Sequence, residues 1–268
     1  PADFHHQDGV GQEAQLGEDL VPGDIAPAER HVEITNAQSG VFLRVERLVE
    51  GLRATERVMD VKVPGDRRHG TQFGAPVPTL STPAEAEAWV AARVSEGSDY
   101  IKIVNEAGLT SGKPLPTLDA PTTKALIEAA HKNGKLAVVH IQTRAIAENG
   151  LSSGANGLVH IFFDQPGDDT FAKLAKQKNV FVTPTLTVFE GFAGRPGTAS
   201  LLEAPAFKGL LSAAAVSSIK TKFGQDRTAT IDANVKATLT SLAKAGVPIL
   251  AGTDSGNPAT WYGISMHR

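Results

Sequence analysis

Cysteine is absent from all 268 residues. That excludes disulfides, thiolate metal ligands and a cysteine nucleophile, so any metal has to be held by nitrogen and oxygen donors. No apolar run approaches the roughly 20 residues of a membrane-spanning helix, and no membrane partner is expected. Charge of one sign is nowhere concentrated. Lys and Arg number 26 against 29 Asp and Glu, for a net charge of −3. The longest basic cluster is Arg67-Arg68-His69, which reads as a solvated loop. So weak a field gives no reason to expect a nucleic-acid partner. No strand–turn–helix nucleophile elbow is evident, which argues against a serine esterase, and there is no phosphate-cradling Gly-x-x-x-x-Gly-Lys-Ser/Thr loop. The opening Pro1-Ala2-Asp3-Phe4-His5-His6 is neither a signal peptide nor a start with methionine, and reads as part of a processed or longer chain. The compartment stays open, with the cytoplasm favoured.

What is present is core-forming residues in a regular order. Hydrophobic residues make up 41% of the chain, and the length suits one large α/β domain. From residue 59 onward strand and helix patterns alternate. Strands are expected at residues 59–63, 99–104, 136–140, 158–162, 180–185 and 248–251. Helices are expected at 84–94, 118–133, 144–152, 168–177 and 226–245. A longer excursion, 191–224, is expected to cover one end of the domain. Caps support this reading: Thr82-Pro83 opens one helix and Gly134 stops another. Six strand–helix periods point to an α/β fold, a TIM-type (β/α)8 barrel that is incomplete over its legible stretch. Residues 1–58 form a poorly legible N-terminal segment, with strand character only at 40–45 and a short helix at 45–55. Residues 59–268 form the barrel. Six units leave sheet edges to be covered, which suggests a second copy of the chain or residues 1–58.

Three of the strands end on side chains that ligate metals. Leu136-Ala137-Val138-Val139 stops at His140, Gly157-Leu158-Val159 stops at His160, and Val247-Pro248-Ile249-Leu250-Ala251-Gly252-Thr253 stops at Asp254. Ligands of parallel α/β proteins collect at the carboxyl ends of strands, so two imidazoles and a carboxylate there suggest a hydrolytic metal centre. His140 and His160 are separated by one helix and two short loops, which puts both on one rim. Asp254 sits between Gly252 and Gly256 in a turn that lets the backbone approach a ligand, or caps a following helix. Lys102 lies within Asp99-Tyr100-Ile101-Lys102-Ile103-Val104, where burial on both faces would favour the neutral amine. Such an amine attacks a carbonyl to form a Schiff base or captures carbon dioxide as a carbamate.

These residues carry a family resemblance. Asp99-Tyr100-Ile101-Lys102-Ile103, Val139-His140, Gly154-Ala155-Asn156-Gly157-Leu158-Val159-His160 and Ala251-Gly252-Thr253-Asp254-Ser255-Gly256 resemble the amidohydrolase superfamily, in its imidazolonepropionase-like and Xaa-Pro dipeptidase-like branch. Gly70-Thr71-Gln72-Phe73-Gly74 and Gly263-Ile264-Ser265-Met266-His267-Arg268 resemble it too. The resemblance covers roughly residues 59–268. It implies a carbamate on Lys102 that bridges divalent ions, zinc above all, with His140 and His160 holding one ion. Asp254 would ligate the other and act as the catalytic general base. The implied reaction is hydrolysis of amide bonds, in peptides or cyclic amides, or of related esters, by a metal-activated hydroxide on a small-molecule or dipeptide substrate. The family pattern also begins with a His-X-His pair. This chain has none, so the count is one or two ions. His69, Tyr262 and His267 are candidate substrate-binding residues. Gln142 and Thr143 are candidates for orienting the imidazoles. Two other readings stand beside this one: a barrel aldolase that forms a Schiff base on Lys102, and a non-catalytic truncated homologue.

Overall fold

A computed structural model describes residues 56–61, 79–106, 108–109, 115, 117–221 and 228–268, all within the compact unit Ala54–Arg268. The strand and helix expected at 40–55 lie outside them.

The described strands form one parallel sheet. They are β1 (Glu56–Val61), β2 (Thr79–Leu80), β3 (Tyr100–Val104), β4 (Leu136–His140), β5 (Gly157–Val159) and β6 (Phe181–Thr183). Their order is β2-β1-β3-β4-β5-β6. From β3 onward each strand pairs with the next in sequence, the usual arrangement of successive β–helix–β units. Among these residues the sheet does not close into a barrel. β2, which sequence patterning missed, is only two residues long and lies outside β1, so the order there departs from that of the chain. The strand expected at 248–251 is reduced to a bridge, Val182 to Ile249. Two backbone hydrogen bonds secure it: Val182 N–H to Pro248 O at 2.9 Å and Leu250 N–H to Val182 O at 2.8 Å.

Helices α1 (Ala86–Ser95), α2 (Ala120–Lys132), α3 (Arg144–Ser153), α4 (Asp169–Gln177), α5 (Leu186–Phe192), α6 (Ala213–Lys220) and α7 (Thr228–Lys244) fill the connections. Several begin at a side-chain cap. Asp119 accepts from Thr122 N–H at 2.8 Å, Thr143 from Ile146 N–H at 3.2 Å and Asp168 from Phe171 N–H at 2.9 Å. Ahead of α1, Thr82 and Glu85 form a capping box around a 3-10 turn. Gly134 and Gly154 take the left-handed conformation that ends α2 and α3. The letters Gly150-Leu151-Ser152-Ser153-Gly154 match Gly-x-Ser-x-Gly, but they form the end of α3 and not a strand-to-helix turn, so they are no nucleophile elbow. No helix among the described residues is long and apolar enough to cross a membrane.

The two faces of the sheet differ. Ile101, Ile103, Ala137, Val139, Leu158 and Val182 are at most 1% exposed and belong to the main core cluster with Leu126, Ile127, Leu151 and Phe171 of the helices. Each of these side chains other than Ala137 stabilises by about 1.5–3 kcal/mol when fully buried. The alternate residues point the other way. Register puts Lys102 beside Val138, Val104 beside His140, His140 beside Val159 and Val159 beside Thr183 on that second face. There Lys102, Val159, Phe181 and Thr183 are only half-buried. Gly157 serves this face. A methyl group there would lie 2.4 Å from the ring of its neighbour Phe181, so only glycine lets that ring rest on β5.

Candidate functional site

His140 closes β4 and is buried. Its rim position follows from register, because Val104 on one side and Val159 on the other are themselves the last residues of their strands. His160 reaches the same place by another route. It follows the last residue of β5, and simple alternation would send its ring to the helix side. Instead its backbone adopts φ 68°, while its N–H still bonds Thr183 O at 2.9 Å. This left-handed step, one that His tolerates better than most residues, ends the strand and re-aims the side chain. The two imidazoles meet edge to face, with centroids 4.3 Å apart and planes at 70°.

A further side chain lies against each ring, hydrogen-bonded in the case of His160. His160 Nδ1 and Thr185 Oγ1 are 2.6 Å apart, and Thr185 itself sits at φ 49°. In either direction of that bond Nδ1 is engaged. His140 Nε2 lies 3.2 Å from Glu106 Oε2, and these two side chains are 6% and 5% exposed. Glu106 is placed two residues past β3 by Asn105, which clamps the loop. Asn105 Nδ2 donates to Leu118 O at 3.3 Å, and Oδ1 accepts from Leu118 N–H at 3.2 Å. The two side chains are within ion-pair distance, but among the described residues neither ring nitrogen of His140 meets hydrogen-bond geometry. Patterning missed Glu106 and Thr185. The available signal was a carboxylate just beyond the strand that carries Lys102.

Lys102 lies on the same face as His140, two register pairs earlier. It is half-buried and not sealed within the sheet as expected. The helix-side alternates Ile101 and Ile103 take the deep positions instead, at 0% exposure. Asp254 follows the bridged segment that runs beside β6. Gly252 passes so close to Thr183 that a methyl group there would sit 2.4 Å from Thr183 Cγ2. Asp254 is half-buried at φ 53°, and its Oδ2 accepts from Asn257 Nδ2 at 2.9 Å. It does not cap a helix.

The remaining candidates divide. His69 and the glycine-containing loop at 70–74 lie outside the described residues. Tyr262 is 60% exposed and stacks on Trp261, and His267 is exposed against Phe207. Neither hydrogen-bonds to, nor stacks on, the imidazole pair. Gln142 and Thr143 both hydrogen-bond to backbone. Gln142 accepts from Leu109 N–H at 3.1 Å, and Thr143 caps α3. Among the described residues no group of three or more His, Asp or Glu side chains forms a complete cage for a cation. Lys102 shares the sheet face of His140 from the middle of β3, and Asp254 follows the segment bridged to β6.

No protein-family model and no curated protein sequence matches this chain. Solved structures do resemble it. An uncharacterised protein superposes with a TM-score of 0.50 at 17% identity, over 78% of this chain and 50% of its own. An ochratoxinase from A. niger gives 0.49 at 20% identity, over 73% of this chain and 39% of its own. A Xaa-Pro dipeptidase, solved with methionine bound in its active site, gives 0.47 at 20%, over 70% and 43%. The chain therefore spans half or less of the length of these structures. The likeness is one of fold, a parallel α/β architecture.

Proposed function

We propose that this chain carries the metal-binding part of a hydrolase that cleaves amide bonds of small molecules or dipeptides. The observation that carries the reading is the edge-to-face contact of two buried imidazoles, His140 and His160, at the carboxyl end of a parallel sheet. Two neutral nitrogens beside oxygen donors, with no thiolate in the chain, suit zinc or a similar divalent ion. His160 would bind through Nε2, because Thr185 engages the other nitrogen. Lys102, as its carbamate, would supply the oxygen donor that the histidines lack, on the face it shares with His140. A divalent ion at such a site supplies Lewis acidity and makes water a stronger acid. Asp254, held by Asn257, takes the proton of the attacking water and delivers it to the leaving nitrogen. The choice of amides over other bonds rests on the resemblance of these segments to amidohydrolases.

The test is hydrolysis of a panel of dipeptides, N-acyl amino acids and esters, before and after chelation. Loss of turnover on chelation, with recovery on adding zinc, cobalt or manganese, is expected. Turnover indifferent to chelator, or substrate trapped on Lys102 by borohydride, would instead support Schiff-base chemistry.

A further inference from the structure

We infer that Asn257 and Thr260 are positioning residues that fix Asp254 to helix α6. The geometry is a chain of hydrogen bonds. Asn257 Nδ2 donates to Asp254 O at 3.0 Å and to Asp254 Oδ2 at 2.9 Å. One amide thus grips the backbone and the carboxyl group of the same residue. A backbone carbonyl only accepts, so the nitrogen of the Asn257 side chain, and not its oxygen, has to face it. Asn257 O accepts in turn from Thr260 Oγ1 at 2.7 Å and from Thr260 N–H at 3.2 Å. Thr260 is 0% exposed. Around it the segment is bonded twice to Ser218 of α6. Ala259 N–H donates to Ser218 O at 2.9 Å, and Ser218 Oγ donates to Thr260 O at 3.3 Å.

The backbone gives this chain of bonds a purpose. Asp254 sits at φ 53° and Ala259 at φ 66°. Aspartate visits the left-handed region occasionally and alanine seldom. Such residues persist where the surrounding structure over-determines them, and they cluster at active sites. Here the bonds to Asn257, Thr260 and Ser218 hold both bends. Ser218 O lies in the last turn of α6, where carbonyls are open to donors from outside the helix. A base works only within reach of the proton it takes, and a displacement of about 1 Å can cost on the order of 100-fold in rate. Asn257 and Thr260 act through Asp254, so their loss should register in kcat.

The kinetic part of this inference rests on the proposed hydrolase reading, whereas the chain of hydrogen bonds does not. The experiment uses the full chain, with each asparagine side-chain amide assigned by NMR through its own backbone. In the unsubstituted protein the Asn257 amide protons are expected to exchange with solvent more slowly than those of Asn179, which is exposed. Thr260→Val keeps the shape of the side chain and deletes the hydroxyl. It should speed exchange at Asn257, and Thr260→Ser should keep exchange slow. Exchange at Asn257 as fast as at Asn179 in the unsubstituted protein overturns the inference without recourse to any variant. Unchanged exchange in a folded Thr260→Val variant also overturns it. Turnover is measured on the same proteins. Asn257→Ala and Thr260→Val should lower kcat roughly 10–100-fold with KM little changed, and Thr260→Ser should retain most of the rate. Unchanged kcat in Asn257→Ala refutes the positioning role alone. No turnover by the unsubstituted chain refutes the hydrolase reading, and amide exchange then decides the chain of hydrogen bonds by itself.

Discussion

The ring of His160 stands edge-on to that of His140, centroids 4.3 Å apart, because the backbone of His160 takes the left-handed conformation at φ 68°. Shape and chemistry of this residue can therefore be separated. Asparagine accepts positive φ readily, whereas alanine pays about 1–2 kcal/mol for it. His160→Asn should be more stable than His160→Ala by about 1 kcal/mol in urea melts, yet both should lose zinc binding and hydrolysis. Equal stabilities would show that the left-handed step is not what the residue is selected for. Undiminished zinc affinity in both would remove His160 from the ligand set.

Lys102 offers a second separation, between carbamate and Schiff-base chemistry. Lys102→Ala deletes both the amine and anything built on it. If the amine serves as a carbamate, formate, acetate or propionate in the buffer should restore part of the lost turnover, because a small carboxylate supplies the same pair of oxygens. The expected result is a rate that rises and saturates with acid concentration, larger than any effect of the same acid on the unsubstituted protein. No rescue, together with borohydride trapping of substrate on the intact lysine, would move the assignment to aldolase chemistry.

The legible and illegible parts of this chain differ for physical reasons. The strands of residues 100–104 and 136–140 and the helices between 120 and 177 announce themselves through apolar runs, Asp119, Thr143 and Asp168 caps, and glycine stops at 134 and 154. Those are local signals. Sheet order is not local, so β2 outside β1 could not be read, and residues 248–251 carry strand composition yet achieve only a bridge. The position of His140 at the rim was visible as the end of an apolar run. That His160 would meet it by a break in the strand was not, because nothing in Leu158-Val159-His160 marks a change of backbone region. Glu106 was invisible for a different reason. An isolated glutamate past a strand reads as solvated, whereas here it is buried beside a loop clamped by Asn105 and Leu118.

Gly252 predicts a steric cycle. A methyl group at residue 252 would sit 2.4 Å from Thr183 Cγ2, so Gly252→Ala should force the segment leading to Asp254 away from β6. The expected cost is about 1–3 kcal/mol of stability, in line with overpacking elsewhere, and a drop in turnover from displacement of Asp254. Thr183→Ser removes the clashing methyl and keeps the hydroxyl. Combining the two should recover most of both losses, a coupling visible in a double-mutant cycle. A double variant as impaired as the sum of the single ones would mean that the crowding lies elsewhere.

Asp168 links the stability of α4 to pH. Its carboxylate accepts from Arg144 Nη1 and Nη2 at 2.8 and 3.1 Å and from Phe171 N–H at 2.9 Å, where it caps α4. The hydrogen bonds from the Arg144 guanidinium, then the one from the Phe171 amide, hold this carboxyl below the ordinary carboxylate range. A group whose acidity is enhanced by folding adds stability that is complete above its unfolded value, near 3.9, and that fades as pH falls through the lower native value. Asp168→Ala should therefore cost about 1 kcal/mol at neutral pH, mostly as a lost helix cap. The gap between the two proteins should narrow below about pH 4. The side chain is 52% exposed, so solvent screening keeps the ion pair's own share small. Urea melts of both proteins from pH 3 to pH 7 measure the gap directly. A gap independent of pH would mean that the cap acts without its charge, and that Arg144 does not stabilise the native state through Asp168.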